Sequence, residues 1–202
     1  FEKKEQHIIR AAQKLLEKIN IQVRSNPQIE IDKNSIQIAN QKFKILSSKM
    51  NILLGIGGSG PTKRIPAEKF KKFISLIIKD HECTFYLATG KNEEEQIILK
   101  DILSSHKDLC VALDNYTISE ILPIIKCCRI SICNDSSFSH LSAALNVPTI
   151  VLMSDTPLIY GSYSPNMYPI VPDGIENVSH NSRGKEKINP EKIYNKFKSI
   201  IS

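Results

Sequence analysis

Apolar positions in the middle of the chain fall into short continuous runs rather than alternating with polar ones. Such runs, bounded by glycine, asparagine or charged residues, predict buried strands. They cover residues 50–55, 84–88, 109–113, 129–133 and 147–153. Between them, apolar residues recur at spacings of three and four, which is typical of helices that bury one face. This second pattern predicts helices over 66–79, from Asn92, from Thr117 or Ser119, and over 136–145.

Strand and helix therefore alternate four times over about a hundred residues. Continuous apolar strands are typical of parallel sheets that are covered on both faces. Because crossovers between parallel strands are right-handed, the alternation predicts a fold of the α/β class, a Rossmann-like doubly wound parallel sheet.

The two ends of the chain show weaker patterns. Ile8, Ala12, Leu15 and Ile19 form one face of an amphipathic helix predicted over residues 3–19. We expect an extended piece at 29–31 and a short helix that Asn34 caps and that runs to residue 46. Residues 154–187 are interpreted as loop-rich, and 189–201 as a closing helix. We divide the chain into a connecting segment, 1–49, and one domain, 50–202.

Composition narrows the class of protein. With 202 residues, 41% hydrophobic and 24% charged, the chain suits one globular domain with a short appendage. No run approaches the ~18 apolar residues of a membrane span. A net charge of +6 favours anionic partners, but no aromatic residues interleave with the lysines in a nucleic-acid-binding motif. The five cysteines form no C-x-x-C pair, so we expect reduced thiols and no metal site.

The most unusual loop follows the first strand and contains four glycines. Glycines allow close approach of a ligand to the backbone, and Lys63 and Arg64 can bind a diphosphate. No Gly-Lys-Ser/Thr follows at Walker spacing. Gly55, Gly57 and Gly60 fit the dinucleotide fingerprint, but the next strand does not end in an acidic residue. A flexible loop with two surface cations is the alternative.

A second polar loop follows the fourth strand. Asp135 and Ser136 suit a helix N-cap, and a helix start at a strand tip is also an anion site. His140 lies about one turn later, on the same side. Acidic residues 93–95 follow the second strand. There they can hold ribose hydroxyls, or they can simply stabilise the first turn of the helix by interacting with its dipole. Because parallel strands end at one edge, we expect the loops around Lys63 and Asp135 to converge on a single pocket.

Three stretches together resemble a known family. Residues 58–66 (GSGPTKRIP) are similar to a Gly-Ala-Ser-x-Pro-x-Lys-x-Trp-Pro loop, with Ile65 in place of Trp. Residues 134–145 (NDSSFSHLSAAL) are similar to Asp-Thr/Ser-Gly-x-x-His-x-x-Ala-Ala, with Ser137 in place of Gly. Residues 147–149 and 161–163 resemble the segments that lie C-terminal to this motif in the same family. In this order, the stretches resemble the donor-binding C-terminal domain of the heptosyltransferases, glycosyltransferase family 9.

The resemblance implies the C-terminal half of a GT-B glycosyltransferase, in which two Rossmann-like domains face each other across a cleft. Lys63 is implied as the catalytic residue that stabilises the leaving diphosphate. The implied donor-binding residues are Ser59, Gly60, Lys63, Arg64, Asp135, Ser136, Ser137 and His140, with Glu94 at the ribose and Tyr116 and Thr117 near the adenine.

The resemblance also implies an activity. The donor is ADP-heptose or a similar nucleotide sugar, and the acceptor is the lipopolysaccharide core, held by an N-terminal domain that is absent here and carries the catalytic base. No cofactor or metal is expected, nor is a nucleic-acid partner. The expected location is the cytoplasm, at the inner face of the cytoplasmic membrane, where the protein can contact the membrane peripherally. Another GT-B nucleotide-sugar enzyme, transferase or epimerase, and a degenerate non-catalytic module remain as alternatives.

Overall fold

A single six-stranded parallel sheet organises the molecule. The computed structural model describes residues 7–23 and 26–202. The strands are β1 (Met50–Gly55), β2 (Cys83–Ala88), β3 (Cys110–Ala112), β4 (Ile130–Asn134), β5 (Thr149–Leu152) and β6 (Met167–Ile170). Their order across the sheet is β3-β2-β1-β4-β5-β6, the order of a doubly wound nucleotide-binding fold. The predicted α/β class and Rossmann-like sheet are confirmed.

Helices cover both faces of this sheet. They are α1 (Ile8–Glu17), α2 (Lys33–Phe43), α3 (Ala67–Ile77), α4 (Glu93–His106), α5 (Ile118–Lys126), α6 (Ser137–Ala144) and α7 (Pro190–Ile201), with 3₁₀ turns at Lys107–Leu109, Leu158–Tyr160 and Lys185–Lys187. Successive residues of a strand point to opposite faces. Ile52 and Leu54 therefore pack with α3, α4 and α7, whereas Leu53 packs with α2, α5 and α6.

Most of the predicted elements lie within one or two residues of the observed ones, and the differences have local causes. Asp32, not Asn34, caps α2, because its carboxylate accepts the Ser35 N–H at 2.9 Å. The helix ends at Phe43 rather than near residue 46, since Lys44 adopts a left-handed conformation. Residues 29–31 form no strand, although Ile29 donates its N–H to the Ala144 carbonyl oxygen.

The region interpreted as loop-rich contains β6, which the sequence analysis missed. This strand reads Met-Tyr-Pro-Ile, so Pro169 interrupts any strand-like pattern. It pairs only with β5 at the edge of the sheet, where a strand tolerates a residue without an N–H. The division of the chain at residue 49 stays a prediction, and α2, which precedes it, packs on α5 through the buried Ala39.

The N-terminal helix differs most from expectation. α1 begins at Ile8, and residues 3–6 of the predicted helix lie outside the described residues. None of its residues is buried. Ile8 and Leu15 on its apolar face are 75% and 66% exposed, and Ile19, just beyond its end, is 62% exposed. Amphipathic spacing therefore predicted the helix correctly but not its burial.

We expect Phe73→Ala to lower the free energy of unfolding by about 3–5 kcal/mol, because it empties a fully buried aromatic site. Phe73 packs edge-to-face on Phe197 of α7, with ring centroids 6.0 Å apart. Ile97→Ala is the control, since Ile97 is 60% exposed and should change stability by less than about 0.5 kcal/mol. Urea unfolding followed by circular dichroism measures both, and similar losses for the two would contradict the packing described.

Candidate functional site

A groove opens at the carboxyl edge of the sheet, where three strands end level with one another. Gly55 of β1 is in register with Ala88 of β2 and Cys133 of β4. The groove has a volume of about 510 Å³. It is lined by the turns after these strands and by the start of α5, through Gly57, Gly58, Ser59, Arg64, Thr89, Gly90, Asn92, Glu95, Ile118, Ser136, Ser137 and Phe138.

The loops after β1 and β4 are joined across this edge. Lys63 donates to Asp135 with an Nζ–Oδ2 distance of 2.8 Å, and Thr156 donates to the same carboxylate oxygen at 2.5 Å. Below them, the Asn134 amide donates to the carbonyl oxygen of Ile56 at 2.8 Å. The Lys63 and Asp135 loops therefore meet, as expected, but neither residue is among those that line the groove, so their convergence on a single pocket stays a prediction.

Glu95 holds the glycine loop from the side of α4. The residue is only 5% exposed, and its Oε1 accepts the Gly58 N–H at 2.7 Å. Its Oε2 accepts from the Asn92 amide at 2.5 Å. A Cβ placed on Gly57 would stand 2.7 Å from Oε1, so only glycine lets the loop approach this carboxylate so closely.

Arg64 spans the glycine loop and α4. Its Nε donates to the Gly58 carbonyl oxygen at 2.9 Å, and its Nη1 pairs with the Glu94 carboxylate. Glu94 itself is 65% exposed in its side chain and does not line the groove, whereas Glu95 does. The expected assignment of the ribose to Glu94 is untested, but the structure brings the neighbouring carboxylate into the groove instead.

The start of α6 faces the groove with unused hydrogen-bonding groups. Ser136 occupies the N-cap position, as expected, but its side chain makes no capping bond, and its buried Oγ has no partner within the described residues. Asp135, the other expected cap, binds Lys63 and Thr156 instead. Across the groove, the Thr89 hydroxyl is also buried without a partner among the described residues. Such groups suit a bound polar ligand.

Three further residues that were expected to bind the donor, Ser59, Gly60 and Ser137, are accessible to solvent. Ser59 and Ser137 are exposed and line the groove. Gly60 lies beside them, with open space where a side chain would be. Ser137 therefore adds a hydroxymethyl group at the mouth of the groove.

His140 lies behind the Asp135 loop, outside the groove lining. Its Nδ1 is 2.9 Å from the hydroxyl oxygen of Tyr163. Burial lowers the pKa of His140, the charge of Asp135 raises it, and that of Lys63 lowers it. This electrostatic coupling agrees with a position beside the Lys63–Asp135 pair.

The two residues expected near the adenine, Tyr116 and Thr117, both make contacts within the fold. Tyr116 packs edge-to-face on Phe43 of α2, with Lys42 Nζ 4.6 Å from its ring centre. Thr117 occupies the N-cap position of α5, and the Glu120 carboxylate at N3 accepts from its N–H and its hydroxyl, both at 2.9 Å. These bonds, with that of Lys42, lower the pKa of Glu120 to about 2. The structure brings neither side chain to the groove lining, and Ile118 lies there instead.

Of the lining residues, sequence reasoning did not assign Thr89, Gly90, Asn92, Ile118 or Phe138 to the site, and it named Glu95 only as part of the acidic run 93–95. A signal for two of them was present. Asn92 and Glu95 stand at the N-cap and N3 positions of α4, as in a capping box. The N3 carboxylate here accepts from Gly58 of a different loop, which spacing along α4 alone does not reveal.

Within residues 7–23 and 26–202, no helix has the length and apolar content needed to cross a membrane. No group of three or more His, Cys, Asp or Glu side chains in the same ranges is arranged to hold a metal ion. All five cysteines are free thiols.

The comparison that decides the family covers nearly the whole chain. Residues 2–196 match the model for glycosyltransferase family 9 (heptosyltransferase). The chain belongs to glycosyltransferase family 9. Lipopolysaccharide heptosyltransferase 1 of Campylobacter coli is 28% identical over 156 residues, which cover 74% of this chain and 45% of that relative. The chain thus spans less than half the length of the curated relatives it matches.

Solved structures agree on the fold of this family 9 chain. A family 9 glycosyltransferase from Veillonella parvula superposes with a TM-score of 0.80 at 16% identity, covering 99% of this chain and 61% of that one. The Escherichia coli heptosyltransferase WaaC, solved with ADP, gives a TM-score of 0.69 at 18% identity, covering 98% and 57%. The fold is that of roughly one half of these larger chains, as expected for half of a GT-B enzyme.

The groove of this family 9 chain combines two kinds of chemistry. Hydrogen-bond donors and positive charge gather at the glycine loop and the start of α6, through Arg64, Ser136 and the backbone amides at the start of that helix. Glu95 adds a carboxylate whose remaining lone pairs can accept from hydroxyl groups. The arrangement suits a ligand that carries an anionic group and hydroxyls.

We expect Gly57→Ala to destabilise the chain by about 1–3 kcal/mol, because the new methyl group overlaps the Glu95 carboxylate and displaces the loop. Gly60→Ala is the matched control in the same loop, since a Cβ there meets nothing within 4 Å. Chemical unfolding of both variants measures the difference, and equal stabilities would show that the Glu95 contact does not shape this loop.

Proposed function

We propose that this chain binds the nucleotide-sugar donor of a glycosyltransferase that transfers heptose from ADP-heptose, or a similar sugar, to a lipopolysaccharide core acceptor. Membership of family 9 and relatives named as lipopolysaccharide heptosyltransferases support the reaction class. The observation that carries the proposal is the Lys63–Asp135 contact, which joins the glycine loop to the start of α6 next to a groove lined by Arg64 and Ser136. A diphosphate in this groove is proposed to extend to Lys63. The acceptor and the group that deprotonates it are assigned to the part of the relatives that this chain does not span.

The proposed role of Lys63 is to stabilise the negative charge that builds on the leaving diphosphate. An ammonium group placed beforehand where charge develops lowers the barrier without reorganisation. In the free chain Lys63 is neutralised by Asp135, so a diphosphate has to share or replace that partner. Arg64 and the amides at the start of α6 add further donors, and with them we propose that transfer needs no metal or other cofactor.

For the ribose, we propose Glu95 in place of Glu94. Glu95 lines the groove beside Thr89, whose buried hydroxyl has no partner among the described residues. Of the two vicinal hydroxyls of a ribose, one can donate a hydrogen bond to the carboxylate, and the other can accept one from the threonine hydroxyl. Ile118 then provides the apolar contact for the base, in place of Tyr116 and Thr117.

We also propose a cytoplasmic location at the inner face of the membrane. Free thiols and a net charge of +6 are compatible with a reducing compartment and with an anionic surface. Lipopolysaccharide acceptors are anchored in a membrane, so the proposed reaction requires peripheral contact with it.

Calorimetric titration of the folded chain tests the donor class. We expect ADP to bind more tightly than UDP, because the proposed donor carries ADP. The absence of binding at millimolar ADP would overturn the proposal, and a preference for UDP would favour another nucleotide-sugar enzyme.

Lys63→Met should weaken ADP binding roughly tenfold to a hundredfold, the effect of removing one charge-assisted hydrogen bond of about 1.5–3 kcal/mol. Lys79→Met removes an equal charge from an exposed site beyond the end of α3 and serves as the control. If both variants bind equally, the effect of Lys63 is only one of net charge, and its contact with the diphosphate is rejected.

Comparing Glu95→Gln with Glu94→Gln shows which of the two carboxylates binds the ribose. We expect the wild-type chain to bind ADP roughly tenfold to a hundredfold more tightly than 2′-deoxy-ADP, since a hydrogen bond to a charged group contributes about 1.5–3 kcal/mol. Glu95→Gln should remove most of this preference, and Glu94→Gln should retain it. The reverse result would return the ribose to Glu94.

A further inference from the structure

A cluster of aromatic rings lies behind the Asp135 loop and joins α1 to α6. The planes of Tyr163 and His140 lie 21° apart, with ring centroids separated by 5.6 Å. On α1, His7 stacks on Tyr163 at 4.3 Å and 18°. Tyr163 is thus in contact with the imidazole of the family motif and with one from the N-terminal helix.

The hydrogen bond between Tyr163 and His140 has a preferred direction. Burial raises the pKa of Tyr163, so its hydroxyl keeps its proton at neutral pH. Burial also lowers the pKa of His140, which favours the neutral imidazole. A phenol donates more strongly than it accepts, and a neutral imidazole offers one acceptor nitrogen. In the arrangement that this chemistry favours, the Tyr163 hydroxyl donates to Nδ1, and the single ring proton of His140 then lies on Nε2.

Tyr163 is itself held in place from α1. Arg10 donates from Nη2 to the Tyr163 carbonyl oxygen at 3.0 Å, and to the Asn26 side chain at the same distance. His7 covers one face of the phenol ring, and Tyr160 packs edge-on against His7 with centroids 5.7 Å apart. The rotamer of Tyr163 is therefore fixed by contacts that do not involve the groove.

We propose that Tyr163 is a positioning residue: it holds the neutral His140 ring so that Nε2–H donates to a ligand bound beside Asp135. This role rests on the proposed function for the identity of that ligand. Because the donor is a neutral N–H, His140 can contact a phosphate or sugar oxygen without first gaining a proton. Tyr163 acts on the ligand only through His140.

The charges that face His140 come from several elements. Asp135 lies on its own loop and Lys63 after β1, while His7, which itself interacts with Arg10, approaches from the start of α1. None of these changes when Tyr163 is replaced by Phe, because that substitution removes one oxygen and keeps the ring stacks. Tyr160→Phe is the matched control, since Tyr160 contacts His7 by its ring edge.

Nitrogen NMR of the histidine rings tests the positioning without any ligand. The His140 signal is identified by its loss in His140→Gln. We expect the wild-type spectrum to show an unprotonated Nδ1, and we expect Tyr163→Phe to raise the pKa of His140 by about half a unit to one unit, because a bond to the neutral form is lost. Tyr160→Phe should leave it unchanged. An unaltered His140 in Tyr163→Phe, or a proton on Nδ1 in the wild type, would overturn the proposal.

Binding of ADP tests the consequence for the ligand. Tyr163→Phe should weaken it roughly twofold to tenfold, as for one neutral hydrogen bond, and should cause no further loss in a His140→Gln background. Equal losses in both backgrounds would mean that Tyr163 does not act through His140. A wild-type chain that binds no ADP would reject the proposed function, and the NMR result would still decide whether Tyr163 positions His140.

Discussion

Two neighbouring strands whose following helices pack on opposite faces of the sheet create the groove on which everything else depends. β1 leads to α3 on one face, and β4 leads to α6 on the other, although the two strands are hydrogen-bonded to each other. Chains that diverge in this way leave a crevice outside the carboxyl ends of the strands. The Asn134 side chain keeps its floor intact by bonding to the backbone after β1. The site is therefore a consequence of strand order first and of individual side chains second.

Charge in this crevice is balanced before any ligand arrives. Lys63 and Arg64 are paired with Asp135 and Glu94, and Glu95 is buried nearby and bound to a backbone amide. An unpaired charge in such a partly buried place would be costly, so the carboxylates stabilise the free chain. The same pairing makes binding an exchange of partners. In the proposed function, this exchange favours a diphosphate over weaker anions, because a ligand that cannot replace a carboxylate gains little there.

The sequence predicted the sheet well because buried parallel strands are continuous apolar runs, and each helix carried a cap or an apolar face. It predicted the Lys63–Asp135 approach because parallel strands end at one edge. It did not distinguish Glu94 from Glu95, since which of two adjacent carboxylates turns inward depends on the rotation of α4 against a distant loop. Tyr116 was placed by family analogy, whereas packing against Phe43 decides its direction. The edge strand β6 was missed because pairing, not local pattern, makes it a strand.

That edge strand also affects how the chain behaves towards its own copies. An open sheet edge invites pairing with another chain, and proteins counter this with short strands and proline. β6 has four residues, one of which is Pro169, and so offers a neighbouring chain few amide donors. Pro169, which masks the strand pattern of β6 in the sequence, thereby disfavours pairing of a second chain with this edge. The parallel sheet therefore ends at its sixth strand.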